Sequence, residues 1–285
     1  NICSFFLEKS LRLAKYVALV FPKFLLNTPE FSTTRAELAQ KSVDAILDFG
    51  EKGFPGILVE TIAIFINNLA APANTKVFSL THRLHLTQPQ AYIFDPELPY
   101  WIIYRNQLFD SVCRKLDFDV FEVFRDRQLT NKLLSSSGEL RVLKSRNLSD
   151  DGKEILDIPG YDSYISYAAA KPLSVFQYLD APNVYLTPNM TYKPRMMKKP
   201  PHCVVNGSLA ILIPKKDFTL SEKQLSYFST EEYRTFYQIA RNFQTRSLNV
   251  DSCSVFFYGL LRDEPKSSRS DSTEPIQLSF DDCVK

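Results

Sequence analysis

The stretch from Ile46 to Ile66, ILDFGEKGFPGILVETIAIFI, decides which fold this sequence can adopt. Two apolar runs of strand length, rich in isoleucine, valine and phenylalanine, flank a segment that holds three of the chain's eight glycines. Such runs predict buried β-strands, and the clustered glycines and proline predict a loop between them. The loop would carry one aromatic ring, Phe54, at its tip, and Pro55 would stiffen the approach of that ring.

Helical and strand patterns alternate around this stretch. Residues 2–15 predict a helix, and Tyr16 to Phe21 predicts a strand that follows it directly. Thr28, Pro29 and Glu30 are typical of a helix start, and that helix would run to Gln40. Helices that alternate with almost continuously apolar strands predict an α/β layer in which both faces of the sheet are covered.

The pattern changes after the Asn/Ala/Pro-rich segment 67–74, which is typical of a linker. We therefore predict three parts: an α/β domain at 1–75, an α+β domain of short strands and helices at 76–262, and a flexible tail or linker at 263–285. Strands are expected near 140–143, 203–206, 209–213 and 253–258, and helices near 100–116, 221–228 and 229–241.

The composition limits the class of protein. The 285 residues are 45% hydrophobic and 13% aromatic, which is enough to fill two cores. No apolar run approaches the length of a membrane span, and the first residues have a helix pattern rather than that of a signal peptide. Five cysteines without a Cys-x-x-Cys pair indicate neither a disulfide framework nor a zinc site, so a cytoplasmic location is expected.

The N-terminal segment 1–68 resembles a known family in the order and spacing of four motifs, which are FLEKSLRL at 6–13, VALVFP at 17–22, TRAEL at 34–38 and Phe54-Pro55. They are similar to the later part of the catalytic domain of adenine-specific DNA methyltransferases in which the cofactor motif precedes the catalytic motif. The resemblance implies that residues 1–75 form part of a Rossmann-like sheet that binds S-adenosylmethionine.

The same resemblance implies roles for three residues. Phe54, supported by Pro55, would stack on the adenine that the enzyme turns out of the duplex, since an extruded base needs a planar partner. Phe6 would pack on the adenine ring of the cofactor. The alternatives are a core phenylalanine for Phe54 and a core residue on a helix face for Phe6.

Two motifs that such enzymes carry upstream are missing from this sequence. It contains no Gly-x-Gly turn for the cofactor, and its only Pro-Pro pair, Pro200-Pro201, is not part of an Asn/Asp-Pro-Pro-aromatic tetrapeptide. We therefore expect the C-terminal portion of a larger enzyme or one half of a split enzyme. An N-terminal catalytic half, on the same polypeptide or on a separate subunit, would complete it, and the chain alone should methylate little or nothing.

Segment 139–148 resembles part of the target-recognition domains of these enzymes, and segments 186–195 with 205–212 and 236–250 resemble those of type IIS restriction-modification adenine methyltransferases. Arginine and lysine can pair with guanine or phosphate, and asparagine can pair with an adenine edge. The predicted DNA-binding residues are Arg141, Lys144, Arg146, Asn147, Lys193, Arg195, Arg241, Asn242, Gln244, Arg246 and Asn249. The alternatives are an exposed basic turn for the first segment and a polar helix-to-strand connection for the last.

Two further clusters are candidate sites. Lys193, Arg195, Lys198 and Lys199 are four positive charges that lie close together in sequence, which suits either phosphate contact or a solvated loop. His82 and His85 have a spacing that can bind a metal on a helix, but no acidic or cysteine ligand is near in sequence. We expect these histidines to lie at the surface or to face DNA.

The leading hypothesis is that the chain recognises double-stranded DNA and flips an adenine as part of a site-specific adenine DNA methyltransferase of a restriction-modification system. The alternative is a non-catalytic specificity subunit that directs a separate methyltransferase or nuclease chain to DNA. A third possibility, an α/β enzyme unrelated to DNA, would need a catalytic constellation that the sequence does not display.

Overall fold

The computed structural model describes residues 1–245 and 249–263 and the strand at 276–279. The chain forms two compact units. The first comprises residues 1–111, 238–245 and the strand at 276–279, and the second comprises 112–237 and 249–263. The first unit extends well past the predicted boundary near residue 75, because the strands on both sides of segment 67–74 belong to one sheet.

The first unit contains most of its regular structure in residues 2–93. Its elements are α1 (Ile2–Leu13), β1 (Tyr16–Pro22), α2 (Ser32–Ala39), β2 (Ser42–Gly50), β3 (Thr61–Asn67), β4 (Asn74–Ser79), β5 (Leu84–Pro89) and α3 (Gln90–Ile93), and α4 (Gln107–Lys115) begins in it. The side chain of Asn1 caps α1 by accepting the N–H of Cys3. A 3-10 turn at Pro29–Phe31 leads into α2. The strands predicted for residues 16–66 are present with nearly the predicted bounds.

The sheet of the first unit has the order β1, β3, β2, β4, β5 and then the strand Ile276–Ser279. Strand β3 lies antiparallel between β1 and β2, so that β1 and β2 run in the same direction. The β2–β4 pair is parallel, and the pairs after it are antiparallel. The mixed α/β character is therefore confirmed, and four of the five strand pairs described in this sheet are antiparallel.

One end of this sheet is not covered as expected. Leu7 of α1 and Phe21 of β1 are buried, yet Tyr16 and Val20 on β1 and Phe65 on β3 are exposed. Strand β1 is an edge strand among the described strands, since β3 is the neighbour with which it pairs. The pattern of apolar residues predicted that both faces of these strands are covered. At this edge, one face of the sheet is exposed instead.

The second unit is built from short elements. They are β6 (Leu116–Asp117), β7 (Phe121–Phe124), β8 (Leu140–Leu143), β9 (Ser163–Ile165), α5 (Tyr167–Ala170), β10 (Tyr185–Pro188), β11 (Met197–Lys198), β12 (Cys203–Val205), β13 (Leu209–Pro214), α6 (Glu222–Tyr227), α7 (Glu231–Ala240) and β14 (Leu260–Leu261). They form sheets with the orders β11-β10-β13-β7, β12-β8-β9 and β14-β6. The last residues of α7 belong to the first unit.

Helix α7 shows how the aromatic content is used. Tyr233, Phe236, Tyr237 and Ala240 follow one another at helical spacing and are all buried, so the helix predicted near 229–241 is present with one apolar side. Thr230 caps the helix through its Oγ1, which accepts the N–H of Tyr233 at 3.2 Å.

Two sequence predictions for the C-terminal part have different outcomes. The predicted strand at 253–258 is wrong, because Ser254–Phe257 forms a 3-10 turn in which Val255 and Phe257 are buried. The predicted tail at 263–285 lies largely outside the described residues, and within it Ile276–Ser279 pairs antiparallel with β5.

Candidate functional site

The loop between β2 and β3 carries Phe54, and the ring of Phe54 is 46% exposed. It is not a core phenylalanine. The loop approaches the sheet closely at Gly53, where a Cβ atom would clash with Oγ1 of Thr61. Glycine at this position therefore lets the chain turn tightly and then project the segment that begins with Phe54 and Pro55.

A group of buried charges lies where β1 and β2 end and β3 begins. Lys23 follows β1, is 1% exposed, and its Nζ lies 2.7 Å from Oδ2 of the fully buried Asp48. A second carboxylate, Glu60, has its Oε1 3.7 Å from the same Nζ. Tyr104 donates its hydroxyl to Asp48 Oδ2 at 2.5 Å. The pairing offsets the cost of removing these charges from water, which is several kcal/mol per ion.

A pocket of about 330 Å³ opens beside this charged group, within the first unit. It is lined by Lys23, Gly50, Glu51, Lys52, Glu60, Thr81, His82, Phe243 and Thr245. Three rings meet at it: the centroid of Phe243 lies 4.7 Å from that of His82 and 5.2 Å from that of Tyr104. The pocket thus combines planar apolar walls with carboxylate acceptors and ammonium donors, a set that suits a flat polar ligand. Its lining includes the first residues of the loop that carries Phe54.

Two titratable side chains at the pocket have shifted pKa values. Burial lowers the pKa of His82, and the nearby positive charge of Lys23 lowers it further. His82 is therefore a neutral ring at neutral pH. Burial raises the pKa of Tyr104 well above its ordinary value, and the charge of Asp48 acts in the same direction. The Tyr104 hydroxyl stays protonated and serves as a donor to Asp48.

The turn after α7 completes the pocket wall. Asn242 donates from its side-chain amide to the carbonyl of Trp101 at 2.8 Å and accepts the N–H of Ile103 at 2.9 Å. Gln244 accepts from the amide of Asn27 at 2.6 Å. These side chains hold the turn against the first unit, so the segment that contains Phe243 is fixed on both sides.

Burial corrects several predicted DNA contacts in this turn. Arg241, Asn242 and Gln244 are 2%, 0% and 4% exposed. Their polar side chains face the interior, where Asn242 and Gln244 bond to backbone and amide groups and Arg241 donates to the hydroxyl of Tyr100, so they are unavailable to DNA in this structure. Arg246 lies outside the described residues. The polar composition of the segment indicated a recognition loop, but most of its polar groups serve the turn itself.

The segment at 139–148 in the second unit divides in the same way. Arg141 pairs with Asp157 at 2.6 Å and with Asp162 at 3.0 Å, and Asn147 is fully buried and donates to Asp162 at 2.7 Å. These two predicted contacts are structural. Lys144 is partly buried, and it donates to the carbonyl of Tyr161 and to Ser163 Oγ.

Arg146 is the exposed residue among the predicted DNA contacts of that segment. Its guanidinium lies 4.8 Å from the centre of the Tyr161 ring, on which the Lys144 ammonium also sits, at 4.0 Å. The aromatic ring stabilises two neighbouring cations at the surface. Of the predicted residues in 139–148, Arg146 is the one that is best placed to meet a phosphate.

The predicted basic patch at 193–199 is also reduced by burial. Arg195 and Lys199 are buried and donate to backbone carbonyls, and burial lowers the pKa values of both. Lys193, with its side chain 57% exposed, and Lys198 remain at the surface. Asn249 is partly buried and accepts a hydrogen bond from Asn189 at 2.9 Å.

The structure nevertheless brings the predicted recognition segments of the second unit together. Arg195 donates to the carbonyls of Ser145 and Leu148 at 3.1 and 3.3 Å, which joins the segment around residue 193 to the turn that carries Arg146. Asn189 joins the same region to residues 249–250, because its backbone carbonyl accepts the N–H of Val250 at 3.1 Å. Segments that are far apart in sequence thus meet at one surface.

The remaining predicted residues are placed as follows. Phe6 lies on α1 and is 64% exposed, so it is not a core residue. His82 reaches the pocket, but His85 is buried and stacks on Phe78 with the ring centroids 4.3 Å apart, which contradicts the expectation of two surface histidines. Within the described residues, no group of three or more histidine, cysteine, aspartate or glutamate side chains could hold a metal ion.

Sequence reasoning missed the centre of this site. In the sequence, Lys23 is only the residue after a strand, and Asp48 is only one position in an apolar run. An acidic residue inside a strand that is otherwise buried is a signal, since it needs a partner of opposite charge. The partner could not be identified, because nothing in the sequence shows that the two strand ends are neighbours.

Comparisons with known proteins give little further information. No protein-family model matches the chain, and no curated protein matches it. Among solved structures, it is similar to the type IIG restriction endonuclease BpuSI, with 10% sequence identity and a TM-score of 0.35. The match covers 93% of this chain and 42% of that one, so the chain spans less than half the length of that protein. A TM-score this low does not establish a shared fold. No helix in the described part of the chain is long and apolar enough to cross a membrane.

Proposed function

We propose that this chain is the later catalytic portion and the target-recognition portion of a site-specific adenine DNA methyltransferase from a restriction-modification system. The observation that carries the proposal is the exposed ring of Phe54 on a loop whose first residues line a pocket of about 330 Å³. A ring held outside the core on a glycine-rich loop suits an extruded base, which must replace the stacking it loses in the duplex. The order of motifs in segment 1–68 supports the same reaction class.

Double-stranded DNA is the proposed partner of the second unit. Arg146 and Lys193 are exposed on the surface where the recognition segments meet. Positive side chains on converging loops suit phosphate contact, which positions a protein on DNA without reading its sequence. The buried polar residues of these segments would affect DNA binding only by stabilising the shapes of the loops.

The exposed apolar face at α1 and β1 supports the need for an N-terminal catalytic half. Exposed large apolar side chains extend from the helix onto the sheet: Ile2, Phe5, Phe6, Leu13, Tyr16, Val20 and Phe65. Exposed large apolar side chains beside the edge of a sheet are typical of an interaction site. The proposed partner is a methyltransferase half that adds a strand next to β1 and covers these side chains.

S-adenosylmethionine is the proposed methyl donor of the complete enzyme. The described residues alone do not form a pocket for it: Phe6, the predicted contact, stands exposed on a helix, and the sequence has no glycine-rich turn. The binding of the cofactor is therefore assigned to the N-terminal half. What this chain contributes is the loop with Phe54, the pocket and the DNA-facing loops.

The test is reconstitution with an N-terminal catalytic half that carries the glycine-rich turn and the Asn/Asp-Pro-Pro-aromatic tetrapeptide. The two chains are mixed with duplex DNA and S-adenosylmethionine that carries a labelled methyl group, and label in N6-methyladenine is measured. We expect transfer that needs both chains, and a loss of at least 100-fold in Phe54→Ala with Phe54→Tyr largely active. If DNA binds but Phe54→Ala transfers methyl groups at the wild-type rate, the chain is a specificity subunit and the proposal is wrong.

A further inference from the structure

We infer that Phe243 forms a wall of the pocket against which a nucleobase stacks, and that the turn after α7 is built to hold its ring there. The inference rests on the function proposed above, because the flat ligand is taken to be a base of DNA. It assigns a binding role to a residue that stands between two polar neighbours and that the sequence patterns do not single out.

The backbone of this turn is unusual. Asn242 and Phe243 both have left-handed φ angles, of 50° and 51°. The N–H of Asn242 bonds to the carbonyl of Ile239, and the N–H of Phe243 bonds to that of Gln238, which together form a Schellman motif. That motif needs one left-handed residue, and asparagine adopts the conformation readily. A left-handed phenylalanine is a true outlier that capping of the helix does not require.

Hydrogen bonds on both sides impose the strained conformation. Asn242 is tied to Trp101 and Ile103 through its side chain, and the N–H of Thr245 bonds to Oε2 of Glu60 at 3.1 Å. Residues held in rare backbone conformations by their surroundings cluster at binding sites. The fixed ends therefore determine where the ring of Phe243 lies.

The ring lies in the lining of the pocket. It is partly buried, stands edge-on to Tyr104 at 72° and is tilted by 45° against His82, whose pKa is lowered so that it adds a second neutral ring. The carboxylates of Glu51 and Glu60 line the same pocket. Since carboxylates accept hydrogen bonds, the site favours bases with an exocyclic amino group, such as adenine and cytosine, over thymine, which has none.

The test measures base stacking directly on the full chain. Short single-stranded oligonucleotides with a central adenine, cytosine, thymine or abasic residue are compared by competition in fluorescence anisotropy. Stacking on an aromatic side chain is worth about 1–3 kcal/mol per base, or roughly 5- to 150-fold in affinity. We expect the wild type to bind the adenine and cytosine probes at least fivefold more tightly than the thymine and abasic probes. Phe243→Ala should abolish the preference and Phe243→Tyr should keep it.

Two controls separate the role of the ring from folding. Leu69→Ala removes an exposed apolar side chain of the same unit that does not line the pocket, and it should keep the full preference. Phe243→Gly relieves the left-handed strain, so it should melt no lower than Phe243→Ala. A lower melting temperature for the glycine variant overturns the strain argument.

The outcomes also separate this inference from the proposed methyltransferase function. If Phe243→Ala keeps the preference, or if the wild type binds the abasic probe as tightly as the adenine probe, the inference is wrong, whatever the reconstituted enzyme does. If Phe243→Ala loses the preference while the reconstituted pair transfers no methyl group, the base pocket stands and the methyltransferase proposal fails.

Discussion

Replacement of Lys23 by methionine should destabilise the first unit strongly. The ammonium is 1% exposed and faces Asp48 at 2.7 Å and Glu60 at 3.7 Å. Methionine keeps the volume of the chain but leaves two buried carboxylates without their cation. Breaking a buried ion pair from one side costs about 3–5 kcal/mol. This is a large share of the roughly 5–15 kcal/mol by which a domain is stable.

The single tryptophan of the chain provides a suitable probe. Trp101 is buried in the first unit and stacks on Phe94 with the ring centroids 3.6 Å apart, so its fluorescence follows that unit. With a urea dependence of about 2 kcal/mol per molar, the expected loss moves the midpoint down by roughly 2 M. Lys76→Met, at an exposed position on β4, should change the stability by less than about 0.5 kcal/mol.

A double variant tests the electrostatic explanation. Asp48→Asn keeps an oxygen that can accept from the N–H of Gly50 and places an amide NH2 where the Tyr104 hydroxyl can accept from it, and it removes one of the two unpaired charges. The variant with both Lys23→Met and Asp48→Asn should therefore recover a large part of the stability that Lys23→Met loses. The reasoning is refuted if Lys23→Met costs less than about 1 kcal/mol, or if the double variant is as unstable as the sum of its parts.

Three further predictions concern the pocket, the loop and the DNA-facing surface. The pKa of His82 is lowered from 6.5 in the folded chain, so His82 takes up a proton in the unfolded chain first as the pH falls. The free energy of unfolding therefore declines below pH 6.5 and does not depend on His82 well above it. His82→Gln should remove this part of the pH dependence in urea titrations followed by the fluorescence of Trp101. Gly53→Ala places a Cβ against Thr61 Oγ1 and should cost about 1–3 kcal/mol, which Thr61→Ala on the same chain should largely restore; no loss in Gly53→Ala would contradict the close approach. Arg146→Gln and Lys193→Gln should each reduce the steepness of log affinity for duplex DNA against log salt concentration by about 0.9. The control Lys223→Gln, at an exposed position on α6, should leave the slope unchanged. Equal slopes for all three variants would exclude this surface as the DNA-binding surface.

The sequence predicted local structure well where apolar residues decide it. The runs at 16–21, 43–49 and 59–66 became β1, β2 and β3, and the stripe on α7 is buried as its period required. It could not predict the direction and order of the strands, since an apolar run fits either a parallel or an antiparallel neighbour. Segment 67–74 has the composition of a linker between domains, but the chain after it returns to the same sheet.

Of the candidate site, the sequence predicted only the loop that carries Phe54. The loop with Phe54 was found because glycine and proline mark loops, and the ring is exposed as a binding role requires. The buried charged group beside the pocket combines Lys23, Asp48 and Tyr104, which are distant from one another in sequence and meet only in the folded chain. Contacts between residues that are distant in sequence leave one local signal, which is a charged residue within or next to an apolar run.

The errors in the DNA-binding prediction share one physical cause. The second unit has short strands and much irregular chain, so many backbone groups are left without a partner in a sheet or helix, and each one that is buried needs another. Arg195 and Lys199 meet this need by donating to carbonyls, and Asn147 meets it with its side-chain amide. A polar, basic loop sequence therefore fits two opposite roles: support of the loop from within or contact with a ligand from outside. Burial separates them, and it divides even neighbours, since Arg146 is exposed while Asn147, the next residue, is fully buried. It follows that the loops of this unit owe their shapes to the buried set, so a change of Asn147 should alter which DNA is bound through the geometry of the loop, whereas a change of Arg146 should weaken the binding of all DNA alike.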